Sequence, residues 1–558
     1  MKYNSISSGK EYRLTEDSLD CLIDDAGWQR VGGKIEVIAR TRDTSLTCDY
    51  GALIQWHNID GQLIKKVISN QILQGDKAHQ VRDLLLDTGY LLEAEKSSWN
   101  LLRYYLIKEM PNAPTAISVG TTGWHDGVFV AENWTLGEAN EPYYFIGESR
   151  TMNLKRSGDF ESWKGNVASL SIGNPMMVFT LGIALAAPLL KQTETENGIF
   201  HFVGPSSTGK TTLLQLGASV YSDKSYMMGW IATDNGLAAA AAGRNDLLFL
   251  LDEIGANVSK DLGAVIYHLM SGVSKQRASK DGSLASGARW RTLGLSTGEI
   301  SLSEALLLLD KEAKAGQEVR LIEVPVFGQY GAFNNIHGFV DPQSFVDHLK
   351  KQIKQFHGSL LIEWIHLIIN TDNFIEEIET EKKRISNLWS TLKMSSQVVR
   401  SLQRFALIAA VLSKASQENL LPWGKEDSVS SVRECWGQWL QGRGHVMNLE
   451  DWELLKNLKK MLPEWKEKLL PLTQYDSSIS SCCFINKDEP ELWFIDPEEF
   501  KAGLNLPHRS KSQIFCLVKL GLLKVNERAR GTYRYSGHRF FALYPAKVNE
   551  MLEEFGDE

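Results

Sequence analysis

Three short clusters of residues in this chain have the types and spacing for phosphate chemistry. The first, Gly204-Pro205-Ser206-Ser207-Thr208-Gly209-Lys210-Thr211-Thr212, fits the pattern GxxxxGK[ST] in full. Glycines let such a loop fold into a tight nest whose backbone N–H groups wrap a phosphate. The helix that follows points the positive end of its dipole at the anion. Lys210 is expected to reach the β- and γ-phosphates of a nucleoside triphosphate, and the Thr211 hydroxyl to bind Mg²⁺. The second cluster, Asp252-Glu253, ends the apolar run LLFLLDEI. Adjacent carboxylates at the end of a buried strand are costly unless they are used. Asp252 is expected in the Mg²⁺ shell, and Glu253 as the general base for the attacking water. The third cluster, Ser296-Thr297-Gly298-Glu299, closes the apolar run RTLGLST, and Thr297 is the hydroxyl expected to orient that water. An ordinary exit from strand to turn is the alternative for this last cluster.

Groups of this kind must be carried by a strand before the loop, a helix after it, and further strands ending at the same sheet edge. The chain offers them: IFHFVG precedes the loop and TTLLQLGASV follows it. From about Ile172, helical patterns alternate with the compact apolar runs IFHFVG, LLFLLDEI, RTLGLST and RLIEVPV. Such alternation predicts an α/β fold, a parallel sheet with helices on both faces. Upstream, short β-like runs and turns predict an α+β module, with a hairpin turning at Asp60-Gly61. Downstream, Asp341 to Gln474 reads as almost wholly helical, and the end as short and mixed. The expected division is 1–155, 156–340, 341–475 and 476–558.

Composition narrows the rest. The 558 residues carry a net charge of -8, so a nucleic-acid surface must be local rather than global. Six scattered cysteines without a CxxC pair point to a reducing cytoplasm rather than a disulfide framework or zinc site. The opening MKYNSISSGKEYRLTED is too polar for a signal peptide. The most apolar segment, Met176 to Leu190, falls short of the ~20 residues a membrane span needs and contains Pro188, so it is expected as a buried helix.

The order GPSSTGKTT, GWIATDNGLAAAAAGRNDLLFLLDE, SKQRASKDGS, WRTLGLSTGE and AGQEVRLIEVP resembles the domain of unknown function 927 family, a P-loop group of bacterial mobile elements and prophages. EVIARTRD and TTGWHDGVFV upstream and VVRSLQRFALIAAVLS downstream fit the same family, so the resemblance runs from roughly Ile35 to Leu412. Ala238 departs from it where the family has Glu after NGL, and no acidic contact is carried over there. Members from staphylococcal cassette elements are similar to the MCM-like AAA+ replicative helicases. The resemblance implies an AAA+ P-loop sheet between an α+β collar and a helical lid, with a winged helix at the end. It implies ATP and Mg²⁺, a homo-oligomer that is a hexamer, single-stranded or forked DNA, and element-encoded primase or polymerase partners.

Residue roles follow from the same resemblance. Thr297 takes the place of sensor 1, and Arg320, just before LIEVPV, that of an arginine finger facing the neighbour's nucleotide. Arg400, one turn before Arg404 in SSQVVRSLQRFALIAA, takes that of sensor 2. A surface salt bridge is the alternative for Arg320, and a pair of surface arginines covering apolar neighbours with their stems is the alternative for Arg400 and Arg404. Lys275, Arg277 and Lys280 are placed like a pre-sensor-1 hairpin that touches the phosphates of a threaded strand, with a solvated charged loop as the alternative. In the tail, DPEEFKAGL, a turn at Leu506-Pro507, SKSQIFCLVKLGL and two strands (LLKVNERARG and HRFFALYP) resemble a winged helix. Arg528, Arg530 and Arg534, with His538 and Arg539, would make its wing basic, for a DNA backbone or for a protein partner. The expected activity is an ATP-driven DNA helicase for replication of a mobile element. An origin-opening or loading ATPase, or a nucleotide-gated scaffold in phage defence, are the alternatives.

Overall fold

The computed structural model describes residues 2–3, 10–23, 27–147, 154–257, 261–274, 287–308, 317, 319–475, 482–504, 506, 511–524, 532–535 and 537–556. Lys275, Arg277, Lys280, Arg528 and Arg530 lie outside these described residues.

Alternating apolar residues shape the amino-terminal part. A four-stranded antiparallel meander ending in Ser18–Ile23 and Gly27–Gly33 leads into a five-stranded sheet ordered Tyr143–Phe145, Thr115–Val119, Ile35–Arg42, Gly51–His57, Leu63–Ser69. The helices His79–Asp87 and Ser98–Glu109 bury Val81, Leu85, Leu102 and Leu106 with Trp56, Tyr90 and Val31 in one apolar cluster. The expected hairpin forms between Gly51–His57 and Leu63–Ser69. Its turn is held by the Asn58 side chain, whose carbonyl accepts the N–H groups of Asp60 and Gln62, and Gly61 takes φ +76.

The central sheet is wholly parallel and ordered Met228–Gly229, Leu247–Asp252, Thr292–Gly298, Gly198–Val203, Leu321–Pro325. Its strands read as continuous apolar runs because both faces are covered: all seven residues of Thr292–Gly298 are buried. The helix Pro175–Ala186 is buried from Met176 onward, as its sequence predicts, and Pro188 follows directly in a 3₁₀ turn. It approaches the helix Ser396–Gln417 so closely that a Cβ on Gly182 would lie 2.5 Å from Leu412. Dense packing of this kind makes the five helices from Pro342–Gln355 to Lys425–Arg443 share one apolar core with the sheet. Among the described residues, no helix is long and apolar enough to cross a membrane.

The carboxyl-terminal part holds more than the short sequence pattern predicts. Helices Pro497–Gly503 and Lys511–Lys519 are joined by a five-stranded sheet ordered Leu469–Pro471, Cys483–Asn486, Glu489–Ile495, His538–Leu543, Tyr533–Tyr535. Of the expected strand LLKVNERARG, residues 525–531 lie outside the described residues; Leu523 bridges Leu543, and Tyr533–Tyr535 pairs with His538–Leu543. Leu455, Leu458 and Trp465 of the helix Leu449–Glu467 pack with Ile495, Phe500 and Phe541, so that helix belongs to this core. A closing helix, Pro545–Phe555, completes it.

Candidate functional site

The register of the central sheet brings its carboxyl ends level. Phe202 pairs with Thr297, Val203 with Gly298, and Leu251 with Ser296, so the strand before the loop, the strand ending at Asp252 and the strand bearing Thr297 finish together. The Gly204–Thr211 loop leaves this edge and enters the helix Lys210–Ser219. Its backbone is left-handed at Ser207 (φ +62) and Gly209 (φ +94), on either side of Thr208. That alternation is what an anion-holding nest uses. Only glycine suits position 209, where a Cβ would meet the Phe333 ring at 2.7 Å. The loop is held from outside as well, because Ala332 N–H donates to the Thr208 carbonyl at 2.8 Å.

Lys210 is buried, with 7% of its surface exposed, and its ammonium donates to the carbonyls of Gly204 (2.7 Å) and Pro205 (2.6 Å). The Thr211 hydroxyl donates to the two Asp252 carboxylate oxygens at 3.2 and 3.4 Å. From the other side, the buried Thr297 hydroxyl donates to Asp252 Oδ1 at 2.5 Å and accepts the Glu253 N–H at 3.1 Å. One carboxylate therefore gathers the loop, the strand end and the hydroxyl that the sequence singled out separately. Glu253 itself is exposed and adopts φ +59. A non-glycine residue in this region carries strain of order 1–3 kcal/mol, which persists where surrounding structure enforces it. The donor set of Thr211 hydroxyl and Asp252 carboxylate is hard oxygen and fits Mg²⁺.

Behind Thr297 lies a buried polar chain that the sequence reading did not find. Trp230 Nε1 donates to Ser296 Oγ at 2.8 Å, and Ser296 Oγ stands 3.0 Å from His201 Nδ1. Since the indole can only donate, the hydroxyl passes its own proton toward Nδ1, and Nε2–H faces the Ile300 carbonyl at 3.3 Å. Burial holds the His201 pKa down to about 4, so the imidazole is neutral near pH 7. The only sequence signal was a polar residue in the middle of IFHFVG.

The two arginines given a part in catalysis lie at the opposite, amino edge of the sheet. Arg320 precedes Leu321–Pro325, whose Leu321 pairs with Ile199 at the start of the loop-bearing strand. By strand rise this is roughly 17 Å from the loop end. Arg400 is exposed on the helix Ser396–Gln417. One turn on, Arg404 is 2% exposed, and its guanidinium donates to the carbonyls of Val319 (3.0 Å), Asn197 (2.9 Å) and Glu196 (3.2 Å). Burial draws its pKa down to about 10; Glu196 opposes this fall, and the charges of Arg320 and Arg400 add to it. Arg534 lies in the carboxyl-terminal sheet, exposed and directly opposite Arg539.

At this point the molecule is a mixed α/β protein whose parallel sheet gathers hydroxyl, carboxylate and ammonium groups on one edge. Residues 17–289 match the model of the domain of unknown function 927 family. The match takes in Lys210, Thr211, Asp252 and Glu253, and ends before Thr297, Arg320 and Arg400. A solved structure described as "SCCmec type IV Cch - active helicase" is similar with a TM-score of 0.72 at 16% identity, covering 98% of this chain and 100% of that one. The fold is thus shared along nearly the whole length. The apo A form of the NrS-1 C-terminal region aligns over 91% of this chain and 96% of that one at 11% identity, with a TM-score of 0.30, too loose to define a common fold. No protein of curated function matches the chain in sequence.

Proposed function

We propose that the protein is an ATP-driven DNA helicase that works as a ring, a homohexamer built around a AAA+ P-loop core. The observation that carries this reading is the Asp252 carboxylate, shared by the Thr211 and Thr297 hydroxyls at the mouth of the Gly204–Thr211 loop. The likeness in fold to a structure described as an active helicase supports it. In this reading the loop N–H groups and Lys210 hold the triphosphate, with the ammonium exchanging its two carbonyls for phosphate oxygens. Asp252 and Thr211 hold Mg²⁺, which when bound neutralises charge on the phosphoryl oxygens. Glu253 accepts a proton from the attacking water, and Thr297 fixes the Glu253 backbone through its N–H. Arg320, with Arg400 beside it, serves the nucleotide of the adjoining copy, where a guanidinium stabilises the charge of phosphoryl transfer.

The division at 1–155, 156–340, 341–475 and 476–558 goes with this reading as collar, motor, lid and winged-helix tail, with the tail's core drawing in the helix Leu449–Glu467. Arg534 and Arg539, like charges directly opposed on an exposed strand pair, favour an anionic partner such as a DNA backbone. Strand displacement from a forked duplex by the purified protein tests the proposal. ATP-dependent displacement is expected. DNA-stimulated hydrolysis without displacement would assign an origin-opening or loading ATPase, and no hydrolysis at all would sink the motor.

A further inference from the structure

The amino edge of the sheet holds one aromatic contact that the proposed chemistry leaves unused. The Arg320 guanidinium carbon stands 4.3 Å from the centroid of the Tyr267 ring. Tyr267 belongs to the helix Leu262–Ser271, whose Leu262, Val265, Ile266, Leu269 and Met270 all enter an apolar core. Tyr267 does not: 46% of its surface is exposed, so its ring contributes little to holding that helix in place.

The main chain at Arg320 is firmly held. Its carbonyl accepts the Ile199 N–H at 2.7 Å, its N–H donates to Gln317 O at 3.0 Å, and the preceding Val319 carbonyl accepts from buried Arg404. The side chain beyond is long and rotamer-rich, and such a chain works at a distance only when its fork is preorganised. The charges of Arg320 and Arg404 act on one another, which disfavours a retreat of Arg320 toward Arg404. The electron-rich face of a tyrosine is the complementary surface for a guanidinium.

We infer that Tyr267 is a positioning residue for Arg320, its ring face presenting the guanidinium to the nucleotide held by a second copy of this chain. The inference rests on the reading that Arg320 acts on a neighbouring copy, and its test separates the two. Tyr267→Ala and Tyr267→Phe full-length rings are compared for ATP turnover and for binding of a fluorescent ATP analogue. Tyr267→Ala is expected to lower kcat about tenfold, the scale of one lost cation–π contact in a desolvated interface, with KM and analogue affinity within about twofold of the parent. Tyr267→Phe, which keeps the ring face, is expected to retain turnover. Mixing Tyr267→Ala subunits with Lys210→Ala subunits is expected to recover activity, since intact loops then meet correctly held arginines; a merely misfolded variant would gain nothing. Parental turnover by Tyr267→Ala, a Phe variant as slow as the Ala variant, or no recovery on mixing would overturn the inference. Normal turnover by Arg320→Ala in the same assay would instead overturn the trans reading itself.

Discussion

The two edges of the central sheet are built differently. The carboxyl edge, where Lys210, Thr211, Asp252, Glu253 and Thr297 converge, is rich in ammonium, hydroxyl and carboxylate groups, and Asp252 is bonded from both sides. The amino edge brings Arg320 and Arg400 near Arg404, whose guanidinium lies 3.4 Å from the Glu196 carboxylate. In the proposed reading the arginines of one edge and the loop of the other are complementary, yet the length of the sheet keeps them apart within one chain. Under the proposed trans reading, the difference means that the chemistry is completed only against a second copy.

The largest expected effects break this comparison outright. Arg320→Ala is expected to cut ATP turnover by about 10³ or more while leaving nucleotide binding intact, and Glu253→Gln by about 10²–10⁴ with binding also retained. Turnover assays with fluorescent-nucleotide titrations measure both. Mixing the two variants should recover part of the activity, because the loss then lies on opposite edges; if it does not, the edges do not meet.

Next in size is Arg404→Met, which leaves the buried carbonyls of Val319 and Asn197 without their donor. A loss of about 2–4 kcal/mol is expected in denaturant titration, with turnover falling as the backbone before Arg320 loosens. Full stability in this variant would remove Arg404 as the strut of the amino edge.

The smallest effect concerns the carboxyl edge alone. His201 has its folded pKa held at about 4, below the ordinary value of 6.5, so the unfolded chain takes up the proton first. Its contribution to stability is therefore complete above about pH 6.5 and declines as pH falls toward 4. His445, held near 3, acts in the same direction. His201→Gln is expected to flatten the acid side of the stability profile by up to about 3 kcal/mol relative to the parent, measured as melting temperature against pH. An unchanged slope would mean that the imidazole meets water.

Much of the site was legible because its chemistry is local. A loop whose glycines tolerate left-handed φ, followed by Lys and Thr, must sit between a strand and a helix, and Gly209 at φ +94 does. The Asp252-Glu253 pair at the end of an apolar run was legible for the same reason. Arg404 was not, since a helix pattern tells only that Arg400 and Arg404 share a face and not which of them the fold buries. Tyr267 and the Trp230–Ser296–His201 chain were not legible either, because their partners are distant in sequence.

By itself the sequence determined the loop, the two carboxylates, the buried helix from Met176 and the alternation that makes a parallel sheet, for these depend on backbone preference and on hydrophobic period. Only the tertiary structure decided that the strand bearing Thr297 lies between the other two, bringing its hydroxyl to Asp252, and that Arg320 lies at the far edge. Strand order is set by how layers of helix and sheet bury apolar surface together, and no local pattern contains it.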